Sequence, residues 1–184
     1  MVNHTNMYSY LGMTINYNTK VELVFTMFDY IQDALDKSPE ESNGQAETLA
    51  DNHLLDVEKN IDKLNKEDGS LFRHLVAKLL YLSKIARPYI QTYVSFLCTW
   101  VRERYIYYWK KLQQTIRYLE ATSWLPLTLE ADGTMIIKWW LDASYWMHEE
   151  FQGHTGGTIS LGKRHPYSTY SKHKINTKSS TEFN

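Results

Sequence analysis

The amino-acid sequence predicts an α+β fold, on three observations. Aromatic and β-branched residues with alternating, strand-like patterning occupy residues 8–25 and 125–170. Between them, residues 70–119 carry apolar side chains at helical spacing. Pro, Gly and polar clusters separate the two regimes.

Each element follows from local chemistry. Residues 8–17 read as a strand in which Gly12 marks a bulge or a close backbone approach. Asn18-Thr19-Lys20 turns the chain, and Val21 to Phe25 return as the second strand of a hairpin. Asp29 to Lys37 form a short helix with Tyr30, Ile31, Ala34 and Leu35 on one side, stopped by Ser38-Pro39. Residues 38–52 are acidic and nearly free of large apolar groups, the composition of a linker or surface loop. His53 to Lys66 has weak helical spacing and is closed by Asp68-Gly69. A strong stripe follows in Leu71, Leu75, Val76, Leu79, Leu80 and Leu82. Arg87-Pro88 breaks that helix, and Pro88 can open the next, whose inward face is Ile90, Val94, Leu97, Cys98 and Val101. After Arg102-Glu103-Arg104, a third helix carries Trp109, Leu112, Ile116 and Leu119. Leu125 to Glu130 and Thr134 to Leu141 read as two strands joined by Ala131-Asp132-Gly133, with Met135, Ile137, Trp139 and Leu141 on a buried face. Gly-rich residues 154–157 precede a short strand at Thr158 to Leu161, and Lys163 to Tyr170 supply another. Asn176 to Glu182 resembles a helix entrance with Ser179 or Ser180 as cap.

At 184 residues the chain is long enough to bury a substantial core in one or two domains. One cysteine, Cys98, rules out an internal disulfide framework and fits an intracellular, reducing location. The first twenty residues lack the apolar core of a signal peptide, and charges interrupt every apolar stretch short of a membrane span, so no membrane partner is expected. The net charge of −1 conceals an asymmetry: residues 1–69 hold 5 Lys and Arg against 13 Asp and Glu, residues 70–184 hold 15 against 8. A basic half rich in Tyr and Trp can grip a polyanion through phosphate contacts and stacking, or it can be a solvated mixed-charge surface.

The stretch from Lys138 to Ala143 ends an apolar run in one acid, Asp142, with Glu182 forty residues further on. A buried, unpaired carboxylate costs several kcal/mol, so Asp142 either opens the polar loop after the strand or meets a cation. His148 and His154 are six residues apart, not the four that align two ligands on one helical face, which argues against a zinc pair. His165 and His173 lie among Lys163, Arg164, Lys172 and Lys174, a basic surface suited to phosphate.

These residues carry a family likeness. Tyr10-Leu11-Gly12-Met13 resembles the "FLG" motif near the primer grip of retroelement reverse transcriptases. Phe72 to Leu82 resembles the "YR-x-LVG-x-LLYL" helix of copia-type LTR retrotransposon polyproteins. Ala86 to Ile90 is similar to their "RPDI", Arg117-Tyr118-Leu119 to their "RYLKGT", Trp140 to Ser144 to their "SDAD", and Ser179 to Glu182 to their "SSTEAE". The motifs stand in the family's order and span nearly the whole chain.

The resemblance implies three parts: a palm edge with a primer-grip-like hairpin at 1–26, a helical thumb and connection at 27–123 with the acidic linker near 38–52, and at 124–184 the N-terminal part of a ribonuclease H-like domain with a truncated mixed sheet. It implies Asp142 and Glu182 as catalytic acids that hold Mg²⁺, a hard cation suited to carboxylate oxygen. Tyr10, Gly12, Lys163, Arg164, Lys172 and Lys174 would contact nucleic acid, an RNA–DNA hybrid or a single strand. The departures are equally specific. The polymerase "YxDD" is absent from this sequence, the aspartate of "RPD" is Tyr89, and "SSTEAE" reads Thr181-Glu182-Phe183-Asn184. The expected function is a reverse transcriptase/ribonuclease H fragment, inactive alone. Its alternatives are a non-catalytic nucleic-acid-binding module and a retroelement relic without selected function.

Overall fold

The computed structural model describes residues 6–19, 22–39, 44–49, 56–58, 62–103, 105–144, 154–165 and 167–172. The fold is α+β, with four α-helices and two antiparallel sheets among the described residues.

The first sheet is a meander of β1 (Met7–Tyr10), β2 (Met13–Thr19) and β3 (Glu22–Thr26), extended at its far edge by β4 (Leu127–Glu130). Residues 8–17 are therefore not one strand. Tyr10 pairs with Met13 across a two-residue turn in which Leu11 has φ 48° and Gly12 φ 78°. Positive φ at both central positions is the turn whose twist matches paired strands. Gly12 also faces a close neighbour, since a Cβ there would sit 3.2 Å from Tyr30 Cδ2. The second hairpin forms as expected, with Ile15 opposite Phe25.

Helix α1 (Phe28–Asp36) buries Ile31 and Ala34. The acidic stretch after it is held rather than free where it is described. Gly44 N–H donates to Glu120 Oε2 at 3.1 Å, Gln114 Nε2 donates to the Thr48 carbonyl at 3.0 Å, and Leu49 packs on the core. Helix α2 (Lys66–Ile85) starts earlier than the apolar stripe suggests. Asn65 caps it by accepting the Asp68 N–H at 2.8 Å, and Asp68-Gly69 lies inside the first turn instead of closing a preceding helix. An acid in that turn also favours the helix dipole. The described residues at 56–58 and 62–65 are not helical.

Pro88 opens a 3₁₀ turn at Pro88–Ile90 that runs into α3 (Gln91–Thr99), and α4 (Ile106–Ala121) follows. The core is a helical one: Phe72, Leu75 and Leu79 of α2, Val94 and Leu97 of α3, and Tyr108, Leu112 and Ile116 of α4 are all buried. Met13 and Met27 tie the first sheet to it.

The second sheet has the order β5 (Lys138–Ser144), β6 (His154–Ser160), β7 (Tyr167–Lys172), and α2 and α3 lie against β7. Three expectations change here. The strands at 125–130 and 134–141 do not form a hairpin: β4 pairs with β3, Leu127 opposite Phe25, while β5 pairs with β6. Asp132 stabilises the crossing by accepting the Thr134 N–H at 3.0 Å and the Lys138 ammonium at 2.6 Å. The mixed sheet is antiparallel in every described pair. Finally, the face of Met135, Ile137, Trp139 and Leu141 is not buried; these residues are 90%, 63%, 60% and 66% exposed. The helices lie over the opposite face, on which Ser168 and Tyr170 are partly covered and Ser160 is buried. The glycine pair lies inside β6, where Gly157 leaves room for Leu141 and Thr169, each 3.2 Å from where its Cβ would stand.

Candidate nucleic-acid interface

Asp142 lies within β5, two residues before its end, opposite Gly156, which in turn pairs with Tyr170. Its side chain is exposed, so the carboxylate stays hydrated and carries no burial penalty. It stands at a cleft of about 270 Å³ between the start of α3 and the second sheet. Pro88, Gln91 and Thr92 form one wall, and Trp140, Asp142 and Tyr170 are prominent on the other.

Among the described residues, Asp142 is the only carboxylate lining this cleft, and no three His, Cys, Asp or Glu side chains gather to hold a metal ion. Mg²⁺ asks for near-octahedral oxygen coordination with one or two carboxylates. The described residues supply one such ligand and do not by themselves complete a set. Glu182 lies outside the described residues, as do Lys174, His173, His148 and the expected helix entrance at 176–182.

Among the described nucleic-acid candidates, Tyr10 and Lys163 do not converge. Tyr10 is 61% exposed beside the Leu11-Gly12 turn, at the β1 edge of the first sheet. Lys163 sits at the opposite edge, its ammonium paired with Glu130 of β4 and its N–H donating to the Glu130 carbonyl at 2.9 Å. The register puts Glu130 beside Glu22, whereas the Leu11-Gly12 turn lies toward the Thr26 end, so the two groups occupy diagonal corners. Strand spacing and rise make that separation roughly 20 Å. Arg164 is exposed in the β6–β7 connection and Lys172 closes β7. Next to Arg164, the His165 ring meets Trp140 edge-on with centroids 4.7 Å apart. Two cations of the basic half, Lys138 and Lys163, are thus neutralised locally by Asp132 and Glu130.

Gln91 and Trp140 complete the cleft but did not enter the sequence-based site. Gln91 had a signal: it falls three residues before Val94 and seven before Cys98, on the inward stripe of α3, where a polar side chain is out of place.

The architecture defines an α+β protein with an aromatic, acid-bearing cleft beside a three-stranded antiparallel sheet. The chain is similar to a Saccharomyces cerevisiae protein named for transposon Ty5-1, 24% identical over 152 residues. The match covers 83% of this chain and 49% of that protein, so the chain spans about half the length of the curated relative it matches. That similarity relates the chain to a transposon protein. No protein-family profile matches it, and no solved structure does. No described helix is long and apolar enough to cross a membrane.

Proposed function

We propose that this chain is a piece of a copia-type retrotransposon reverse transcriptase/ribonuclease H polyprotein, covering thumb, connection and the start of the ribonuclease H domain. By itself it binds nucleic acid, inside the cell, without cutting it. The ordered motifs and the likeness to a transposon protein support the first part. One observation supports the second part: among the described residues, Asp142 stands exposed on β5 as the single carboxylate of its cleft. In the ribonuclease H reading Asp142 and Glu182 would hold Mg²⁺, which when bound supplies an activated water and stabilises a leaving oxygen. Asp142 by itself would orient such an ion poorly. Binding draws instead on exposed cations and aromatic faces, Arg164 and Trp140 foremost.

Incubation with an RNA–DNA hybrid in Mg²⁺ or Mn²⁺ should give no cleavage above background. Turnover that disappears in Asp142→Asn would overturn the inactive reading. Affinity for hybrid or single strand should fall steeply as salt rises, about tenfold or more between 50 and 200 mM. Affinity indifferent to salt would remove the binding reading.

A further inference from the structure

Strand β5 stands at one side of the second sheet: β6 pairs with one of its edges, and among the described residues no strand pairs with the other. An open edge presents a row of N–H and C=O groups that a further strand can complete. Short length, proline, bulges and charge are the usual devices that blunt such an edge. β5 runs for seven residues without a proline, and its register with β6 is unbroken from Lys138 to Ser144. Helices α2 and α3 pack on β7, two strands away from this edge. On the outer face Trp139 and Leu141 are largely exposed, and the register carries that face from Trp139 through Ile159 to an exposed Tyr167. Apolar side chains gathered in one row mark a surface that gains by being covered.

The two charges of the strand select the occupant. Lys138 and Asp142 stand two positions on either side of Trp140 and share its face. When a second copy of β5 is laid antiparallel on the open edge, about a two-fold axis at Trp140, each Lys138 falls opposite Asp142 of the other copy. Trp140 then meets its own counterpart, and on the outer face each Trp139 meets Leu141 of the other copy. Opposite charges and aromatic–aliphatic contacts at directly facing positions are the pairs that stabilise a sheet. A two-fold at Trp139 or at Leu141 would set Asp142 opposite Ile136 or Trp140, and the charge match is gone. Among the described ion pairs Asp142 takes part in none. Lys138 donates to Asp132 at 2.6 Å, which leaves two of its three ammonium protons for a second acceptor.

We propose that the open edge of β5 pairs antiparallel with β5 of a second copy of this chain, about a two-fold axis at Trp140, joining two three-stranded sheets into one of six strands. The interface is isologous and closes at two copies, because each contributes the same edge. One strand pair with a few facing side chains buries little surface, so the dimer is a weak one.

The test is sedimentation equilibrium of the full chain over a range of roughly 2 to 200 μM. The chain should pass from monomer to dimer with a dissociation constant below about 100 μM and form nothing larger. Asp142→Lys and Lys138→Glu should each weaken the dimer about fivefold or more, since two-fold symmetry makes each substitution act twice. An equimolar mixture of the two variants should return to within about threefold of the parent affinity as a heterodimer, in which one charge pair keeps its signs and the other has them exchanged. Two misfolded chains would not rescue each other, so this recovery separates lost pairing from lost folding. Lys138→Glu also removes the intrachain pair with Asp132, whereas Leu141→Lys changes an exposed position on the outer face and should weaken the dimer about fivefold or more. A thermal melt accompanies each variant, and should Lys138→Glu not fold, Asp142→Lys and Leu141→Lys decide. A monomer at every concentration, assembly beyond two copies, a dimer that Asp142→Lys or Leu141→Lys leaves unchanged, or no recovery in a mixture of folded variants overturns the proposal. A chain that stays monomeric yet binds RNA with salt dependence sinks the dimer and leaves the nucleic-acid reading standing.

Discussion

Arg87 is a buried cation, 2% exposed, whose described partners are neutral oxygens. Its guanidinium donates to the Thr122 carbonyl at 2.8 Å, the Ser123 carbonyl at 2.9 Å and the Tyr89 hydroxyl at 2.9 Å. The two carbonyls lie at the C-terminal end of α4, where unpaired acceptors and the negative end of the helix dipole favour a cation. Tyr89, the residue that departs from the "RPD" pattern, thereby serves as a neutral acceptor for this arginine. Arg87→Met should destabilise the protein by about 3 kcal/mol in urea unfolding, because it strands buried carbonyls. Arg87→Lys should recover little of that loss, since an ammonium cannot reproduce the planar fork. Asp33 gives a pH signature of the opposite exposure. Hydrogen bonds from the Lys37 and Lys78 ammonium groups hold its carboxyl down at about 2. A depressed folded-state pKa adds stability above the unfolded value of about 4, and that stability disappears as pH falls toward 2. Asp33→Asn should flatten the stability profile in that window and leave it unchanged in shape above it. An Asp33 carboxyl NMR midpoint near 4 would contradict the assignment.

At the scale of elements, the Leu11-Gly12 turn shows both what the residues disclose and what they hide. Gly12 was legible as a special position, and its close approach to Tyr30 agrees with that reading. Its role as half of a hairpin turn was not, because leucine is a poor occupant of positive φ and masked the signal. Gly12→Ala should cost about 1–2 kcal/mol from left-handed strain alone, with the tight Tyr30 contact adding to it. Leu11→Asn should raise stability by up to about 1 kcal/mol, and matched urea midpoints of both variants with the parent would refute the turn geometry. The inward faces of the helices were legible, since a 3.6-residue stripe in Leu75, Leu79 and Leu82 needs only local chemistry and a core to face. The start of α2 was misplaced because its cap, Asn65, and its first turn are polar and leave no apolar period.

Across the whole molecule, the two sheets meet at one corner. The β6–β7 connection runs over the end of β4, where Lys163 both donates its N–H to Glu130 and pairs with its carboxylate. Gly162 makes this possible: any Cβ there would overlap the Glu130 carbonyl, a backbone group that cannot swing away. Gly162→Ala should cost about 1–3 kcal/mol in thermal unfolding and speed hydrogen exchange at the Lys163 amide. An unchanged exchange rate would mean that the corner is not held there. The same ion pair bears on nucleic-acid affinity, for Lys163 is already engaged whereas Arg164 has no described ion-pair partner.

The sequence by itself determined the α+β class, the three major helices with their inward faces, and the presence of strands on either side of them. Those features follow from periodicity, caps and breakers, which act over a few residues. Only the tertiary structure decided that β4 leaves its neighbour in sequence for β3, that the alternating face of β5 stays exposed, and that Gln91 is buried without a donor beside Trp140 and Asp142. Strand alternation states that one face differs from the other; which face meets the helices depends on where distant elements pack, and no local pattern records that.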